Sequence, residues 1–235
     1  MGSAELKQSF RKAQVVSLDT SPAMLSQVRR RSSMLRPLKP VCADLGVLPF
    51  SSRSADLVFS NLASFWCADP MAMFTEFRRV LRPDGMLLFS TLGPLTFREL
   101  GDAWSAVDDG VEFPGFADIL EVGDALTSAG FREPVMDTDR IVLSYSCLET
   151  MLDELEATGM SLLVRGWSRD DSLARQLDAA YAQKTDDGKY PLGFEIHYGI
   201  AFGPADGQPM KTRDGDVATF SVDAIRRNHR RKSRE

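Results

Sequence analysis

The sequence predicts an α/β protein built on a parallel sheet, and three observations predict it. Short β-branched or apolar runs alternate with segments whose apolar residues recur at helical spacing. One run, Met86–Ser90 (MLLFS), is apolar without interruption, as suits a strand buried on both faces. The elements follow one another as β-α-β, then β-α-β, the pattern of crossovers between parallel strands.

Gln14–Asp19 (QVVSLD) is a short β-branched strand ending on an acid. Ser21–Arg31 follows as a helix, with Ser21 suited to the N-cap and Pro22 to the first helical position. Lys39–Ala43 and Ala55–Ser60 read as the second and third strands. In Met71–Leu81 the residues Met73, Phe74, Phe77, Val80 and Leu81 fall on one helical face. Arg82-Pro83-Asp84-Gly85 reads as a turn that stops this helix before the buried strand. Thr96–Val107 and Glu121–Ala129 read as helices, and Pro134–Tyr145 as an extended segment with Ile141, Leu143 and Tyr145 alternating. Cys147–Ala157 and Asp170–Lys184 are helical. Phe194–Phe202 closes the series as a strand with Phe194, Ile196, Tyr198 and Ile200 on one face. The two late strands bracket a helical insertion at about 147–185. A single domain over 1–225, followed by a basic, flexible tail at 226–235, is the expected organisation.

Composition narrows the function classes. The 235 residues are 43% hydrophobic and 26% charged, ordinary values for a globular chain. The absence of a run of about 18 apolar residues excludes a helical membrane span. The N-terminus lacks an apolar signal core, so a cytoplasmic protein is expected. Cys42, Cys67 and Cys147 are too widely spaced for a disulfide framework or a zinc site, and Cys42 and Cys67 are expected to be buried, inert thiols. Two histidines far apart, His197 and His229, argue against a histidine-based metal site or triad. The last ten residues hold six Lys or Arg and one Glu, a net +5, so the remainder carries −10 of the overall −5. No aromatic residue interleaves the basic ones, and the acidic body repels a phosphate backbone, so nucleic acid is not the expected partner.

The expected strands end on Asp19, Asp44 and Asn61. In open α/β sheets ligands bind beyond the carboxyl ends of the strands, where an acid commonly bonds ribose hydroxyls. Asp44 is placed to accept from an exocyclic amine. An Asp after a strand also serves as an ordinary turn or N-cap residue. The three together favour a ligand.

These segments resemble the class I S-adenosylmethionine-dependent methyltransferases. The resemblance is carried by VVSLDTSPAMLSQVRRR, CADLGVLPFSSRSADLVFSNLASFWCADP and FRRVLRPDGMLLFSTLGPLTFREL, over about residues 4–204. Within that superfamily FSTLGPLTFREL with Trp104, GDALTSAGFREPVMD and FEIHYGIAFGP are most similar to the malonyl-ACP O-methyltransferases of biotin synthesis. The resemblance implies a Rossmann-like three-layer sandwich that binds S-adenosylmethionine. It implies that Asp19, with Thr20 beside it, holds the ribose, that Met24 packs near the adenosine, and that Asp44 and Leu45 contact adenine. Asn61 and Leu62 then line the methionine end, and Phe65 and Trp66 border the methyl-transfer pocket; core aromatics are the alternative for that pair. The acceptor, a malonyl thioester on acyl carrier protein, needs its carboxylate gripped, with Arg98 and Arg165 as candidates. Arg29–Arg31 or the tail would meet the acidic carrier.

Relatives open with a strand and a glycine-rich loop before the QVVSLD strand, whereas this chain opens on GSAELKQSFRKAQ, which resembles the helix after that loop. The fold is therefore expected to be N-terminally truncated, without its first strand. Three outcomes follow: the flanking strands pair directly, a second chain completes the sheet, or the fold is weakened. A truncated or non-enzymatic protein with a binding role and weak cofactor binding is the competing expectation.

Overall fold

The computed structural model describes residues 2–35, 37–108, 110–182, 188–205, 210–212 and 215–217. The expected tail at 226–235 and His229 lie outside the described residues. The elements are α1 (Gly2–Ser9), β1 (Val15–Asp19), α2 (Pro22–Arg31), β2 (Leu38–Cys42), β3 (Ala55–Asn61), α3 (Pro70–Val80), β4 (Leu81–Leu92), α4 (Arg98–Ser105), α5 (Ile119–Ser128), β5 (Arg132–Tyr145), α6 (Leu148–Ala157), α7 (Asp171–Ala182), β6 (Tyr190–Phe202), β7 (Met210–Thr212) and β8 (Gly215–Val217). The strands form a parallel pair β1-β2, a four-stranded sheet in the order β3-β4-β6-β5, and an antiparallel hairpin β7-β8. Among the described residues no helix is long and apolar enough to cross a membrane.

The chain divides into two compact units. The first comprises Met1–Phe89, Gly123–Val135 and Gly199–Glu235; the second comprises Ser90–Val122 and Met136–Tyr198.

In the first unit, β1 and β2 pair in parallel from Val15 opposite Leu38 to Asp19 opposite Cys42, so both strands end at one level. Asp19 Oδ1 accepts the Ser21 N–H (2.8 Å), and Ser21 caps α2 by accepting the Met24 N–H (3.4 Å). Pro22 occupies the start of the helix, as its fixed φ favours. α3 begins one residue earlier than its apolar periodicity suggests, because Asp69 accepts the Ala72 N–H (2.9 Å) and Pro70 opens the helix. Its Met73, Phe74, Phe77 and Val80 are buried, each side chain stabilising the fold by about 1.5–3 kcal/mol. Phe74 meets Phe89 of β4 edge-on at 5.4 Å.

Three expectations are corrected in this unit. Arg82–Gly85 does not separate α3 from the next strand: β4 runs from Leu81 to Leu92. Its local chemistry is that of a turn, with Asp84 at φ 58 and no room at Gly85, where a Cβ would stand 3.0 Å from the Arg82 carbonyl. The strand ladder continues through the kink. Cys42 is exposed rather than buried, because it ends a strand of only a two-stranded pair. Direct pairing of β1 with β3, one expected outcome, is not formed: the two strands end separate sheets. Helix α1 contacts β1 and β2, and its Gly2 lies against the Phe59 ring of β3.

The second unit has its own core, in which Phe97, Trp104, Met151, Leu177, Tyr181 and Leu192 are almost fully buried. The expected helix at Thr96–Val107 is shorter, Arg98–Ser105. Thr96 is instead buried and hydrogen-bonded to Glu195. Phe97 stands before the helix in the left-handed region (φ 64, ψ 14). The closing strand begins at Tyr190 rather than Phe194, extended by the pairing of Gly193 with Phe97.

Candidate functional site

In the first unit the candidate residues lie at, or just after, the carboxyl ends of β1, β2 and β3. Asp19 and Cys42 are register partners, and the Ala43 N–H bonds the Asp19 carbonyl (3.3 Å), so the chain leaving β2 starts beside Asp19. Only Oδ1 of Asp19 is engaged among the described residues. Asp44 likewise uses Oδ1 to accept the Gly46 N–H (2.7 Å). Each carboxylate therefore orders its own turn with one oxygen and leaves the other as an acceptor. Thr20 and Met24 are exposed on the same approach to α2, and Leu45 is half-buried.

At the end of β3, Asn61 is exposed and Leu62 adopts φ 47. A left-handed leucine costs about 1–3 kcal/mol, and such strain clusters at active sites, ligand clamps and switch regions. A short 3₁₀ turn, Ser64–Trp66, follows. Its Phe65 and Trp66 rings lie 5.2 Å apart, and Trp66 is 47% exposed. That exposure removes the core-aromatic alternative for Trp66. The Cys67 thiol is pushed up by burial first, with the charges of Asp44 and Asp69 adding to it; its bond to the Asp69 carbonyl (3.5 Å) opposes the rise. Asp44 is thus within electrostatic reach of the turn that carries Phe65 and Trp66.

Two supporting residues were not among the candidates. Glu76 and Arg79 on α3 form a two-point pair (2.5 and 2.7 Å). Arg79 also donates to the carbonyls of Phe50 (2.7 Å) and Leu48 (2.9 Å), and Glu76 accepts the Leu48 N–H (2.7 Å). This fixes the far end of the loop whose near end holds Asp44 and Leu45. The i, i+3 charge pair is visible in the sequence; its carbonyl partners are not. A cavity of about 810 Å³ runs along α3, lined by Gly46, Arg53, Asp69, Arg78 and Gly130 among others. None of the strand-end candidates lines it.

In the second unit the two candidate arginines differ. Arg165 pairs with Glu112 (3.2 Å) across an isolated antiparallel bridge, and both side chains are largely exposed. Such a pair contributes at most about 1 kcal/mol and engages one nitrogen of the guanidinium. Arg98 is exposed, with no ion pair among the described residues, in the first turn of α4. A cation there opposes the helix dipole, so helix stability does not account for it.

Comparison with known proteins follows the same lines. The methyltransferase-domain family matches residues 1–89. The chain is 40% identical over 231 residues to the malonyl-(acyl carrier protein) O-methyltransferase of Halorhodospira halophila, covering 96% of this chain and 78% of that protein. It is 40% identical over 224 residues to the protein of the same name from Gallionella capsiferriformans, covering 91% and 76%. Among solved structures, a protein of Bacillus halodurans assigned as a methyltransferase superposes with a TM-score of 0.58 at 16% identity, covering 87% of this chain and 90% of that one. The YcgJ protein of Bacillus subtilis gives 0.56 at 13% identity, covering 81% and 82%. At such identities the likeness is one of fold.

Proposed function

The chain belongs to the malonyl-(acyl carrier protein) O-methyltransferases and has their Rossmann-like class I methyltransferase fold, and from that premise we propose that it methylates the free carboxylate of malonyl-ACP with S-adenosylmethionine. The observation that carries the reading is what the carboxyl ends of β1, β2 and β3 carry: two carboxylates with one uncommitted oxygen each and, in the turn after β3, a half-exposed tryptophan.

These donors and acceptors suit the cofactor. The second oxygen of Asp19 accepts from the ribose hydroxyls, with Thr20 and Met24 on the adjoining turn. The second oxygen of Asp44 accepts from the adenine amine, and Leu45 covers the ring. The backbone turn at Asn61 and Leu62 serves the methionine end. The faces of Phe65 and Trp66 suit a sulfonium by cation–π attraction. The bound cofactor supplies an electrophilic methyl group.

The acceptor needs no general base. A malonyl carboxyl, with a pKa of about 4, is ionised and nucleophilic at neutral pH. What remains for the protein is to orient that carboxylate, exclude water and match its charge. Arg98, exposed and without an ion pair among the described residues, is a candidate for this, by the two-point geometry that guanidinium and carboxylate share. Arg165, weakly paired with Glu112, is the second candidate. Arg29–Arg31, all exposed in the last turn of α2, form a basic patch for the acidic carrier. A cytoplasmic location and one methyltransferase domain over 1–225 complete the reading.

The test is incubation with S-adenosylmethionine and malonyl-ACP, read by mass spectrometry of the acyl chain. One methyl ester per malonyl group is expected; unchanged malonyl-ACP overturns the reading. One observation favours a second reading, a methyltransferase-like binding protein with weak cofactor affinity: β1 and β3 end separate sheets. Those two edges also suit a strand from a second chain. Under the second reading the chain alone gives no methyl ester and no micromolar cofactor binding.

A further inference from the structure

The turn that leads from β4 into α4 is held in an unusual way, and the residue that holds it lies 100 positions away in the sequence. Glu195, in the middle of β6, meets the turn at four points. Its side-chain Oε2 accepts the Leu95 N–H (2.8 Å), and its carbonyl accepts the Gly93 N–H (2.9 Å) and the Thr96 hydroxyl (3.2 Å). Its own N–H donates to Thr96 Oγ1 (3.2 Å). A second carboxylate closes the other side. Glu99 accepts the Gly193 N–H (3.0 Å), Gly193 accepts the Phe97 N–H (2.8 Å), and Arg140 holds Glu99 (2.6 Å).

Between these two fixed points stands Phe97, buried and left-handed. A phenylalanine adopts that backbone only where its surroundings over-determine it. Gly93 is equally constrained: a Cβ there would fall within 3 Å of Glu195 Oε2 and of the His197 ring. His197 is itself buried, its Nδ1 bonded to Thr138 Oγ1 (2.8 Å) and its Nε2 unpartnered among the described residues. It forms a rigid wall behind the glycine. Stability alone does not explain a half-buried carboxylate in a strand interior, since an apolar side chain there would avoid its desolvation. What the carboxylate achieves is to fix the path of residues 93–97, and that path ends at Arg98.

We infer that Glu195 is a positioning residue for the acceptor: it fixes the Gly93–Phe97 turn and thereby aims Arg98 at the substrate carboxylate. This rests on the proposed role of Arg98. Glu195 touches no reacting atom and acts through the turn.

The experiment compares the full chain with E195A, E195Q, R98A and the double variant. It measures kcat and KM for malonyl-ACP, calorimetric affinity for S-adenosylhomocysteine, and thermal unfolding. In E195A the KM rises about tenfold, the loss expected from one charge-assisted hydrogen bond, with kcat and homocysteine-analogue affinity unchanged. E195Q recovers most of the KM, because its amide oxygen still accepts the Leu95 N–H. The double variant is little worse than R98A, since both changes remove one function. An unchanged KM in E195A beside a raised KM in R98A overturns the inference alone, as do fully additive effects. An unchanged KM in R98A removes Arg98 from the acceptor site and overturns the inference while leaving the methyl-transfer reading intact; no transfer by the wild type overturns that reading and the inference with it. Should E195A fail to fold, T96V decides: a raised KM with intact cofactor affinity is expected, and an unchanged KM overturns the inference.

Discussion

Asp19 does two tasks with two oxygens. Oδ1 holds the Ser21 N–H and so starts α2; the other is the acceptor proposed for ribose. Asp19→Asn keeps an oxygen for Ser21 and removes the charge. It should therefore leave the fold intact and weaken S-adenosylhomocysteine binding about tenfold or more, measured by calorimetry. Unaltered affinity would remove Asp19 from the site. Arg165→Ala should leave stability nearly unchanged in denaturant unfolding, because its exposed pair with Glu112 contributes little. Phe97 poses a different balance. Phe97→Gly relieves the left-handed backbone, worth about 1–3 kcal/mol, but deletes a buried ring packed on Phe113, Phe116 and Phe194, worth about 3–5 kcal/mol. A net loss of stability is expected in denaturant unfolding. At this scale the turn-forming roles of Asp19 and Asp44 were legible, because an acid just after a strand commonly orders its own turn. Leu62 and Phe97 were not, because nothing in a leucine or a phenylalanine announces a positive φ.

Helix α3 and the loop at 44–50 act together through Glu76 and Arg79. The hydrogen bond from Arg79, more than any other cause, holds the Glu76 carboxyl below its ordinary value of 4.5. The unfolded chain then binds that proton more readily than the folded one. The pair's stabilisation is complete above the ordinary glutamate range and is lost as pH falls below about 4.5. Glu76→Gln should be less stable than wild type at neutral pH, and the gap should narrow on acidification. A gap independent of pH would contradict this. The apolar face of α3 was legible from its periodicity, and its start was missed by one residue because the periodicity does not register the capping by Asp69 and Pro70. The course of β4 was not: Asp84 and Gly85 do form a turn-like kink, yet strand pairing carries the ladder past them. The contacts of Glu195 with Gly93, Leu95 and Thr96 span about a hundred residues, beyond the reach of any periodicity.

Across the molecule the fold class was legible from alternation alone, and the strand order was not. The first unit holds β1 and β2 as an isolated pair, with α1 against both and against Phe59 of β3. Two-stranded sheets are marginal by themselves, whereas β4 is buried in a four-stranded one. Backbone amides of Val15–Asp19 should therefore exchange with solvent faster than those of Leu87–Leu92, and a bound nucleoside should slow them selectively, since Asp19 ends that strand. Equal protection in both segments would contradict the division into separate sheets. The ends of β1, β2 and β3 are proposed above to form a cofactor site in this chain. Calorimetric titration of the wild type and Asp19→Asn with S-adenosylhomocysteine decides this: micromolar binding by the wild type and its loss in the variant are expected, and absence of binding by the wild type, or equal binding by both, would contradict the proposed site.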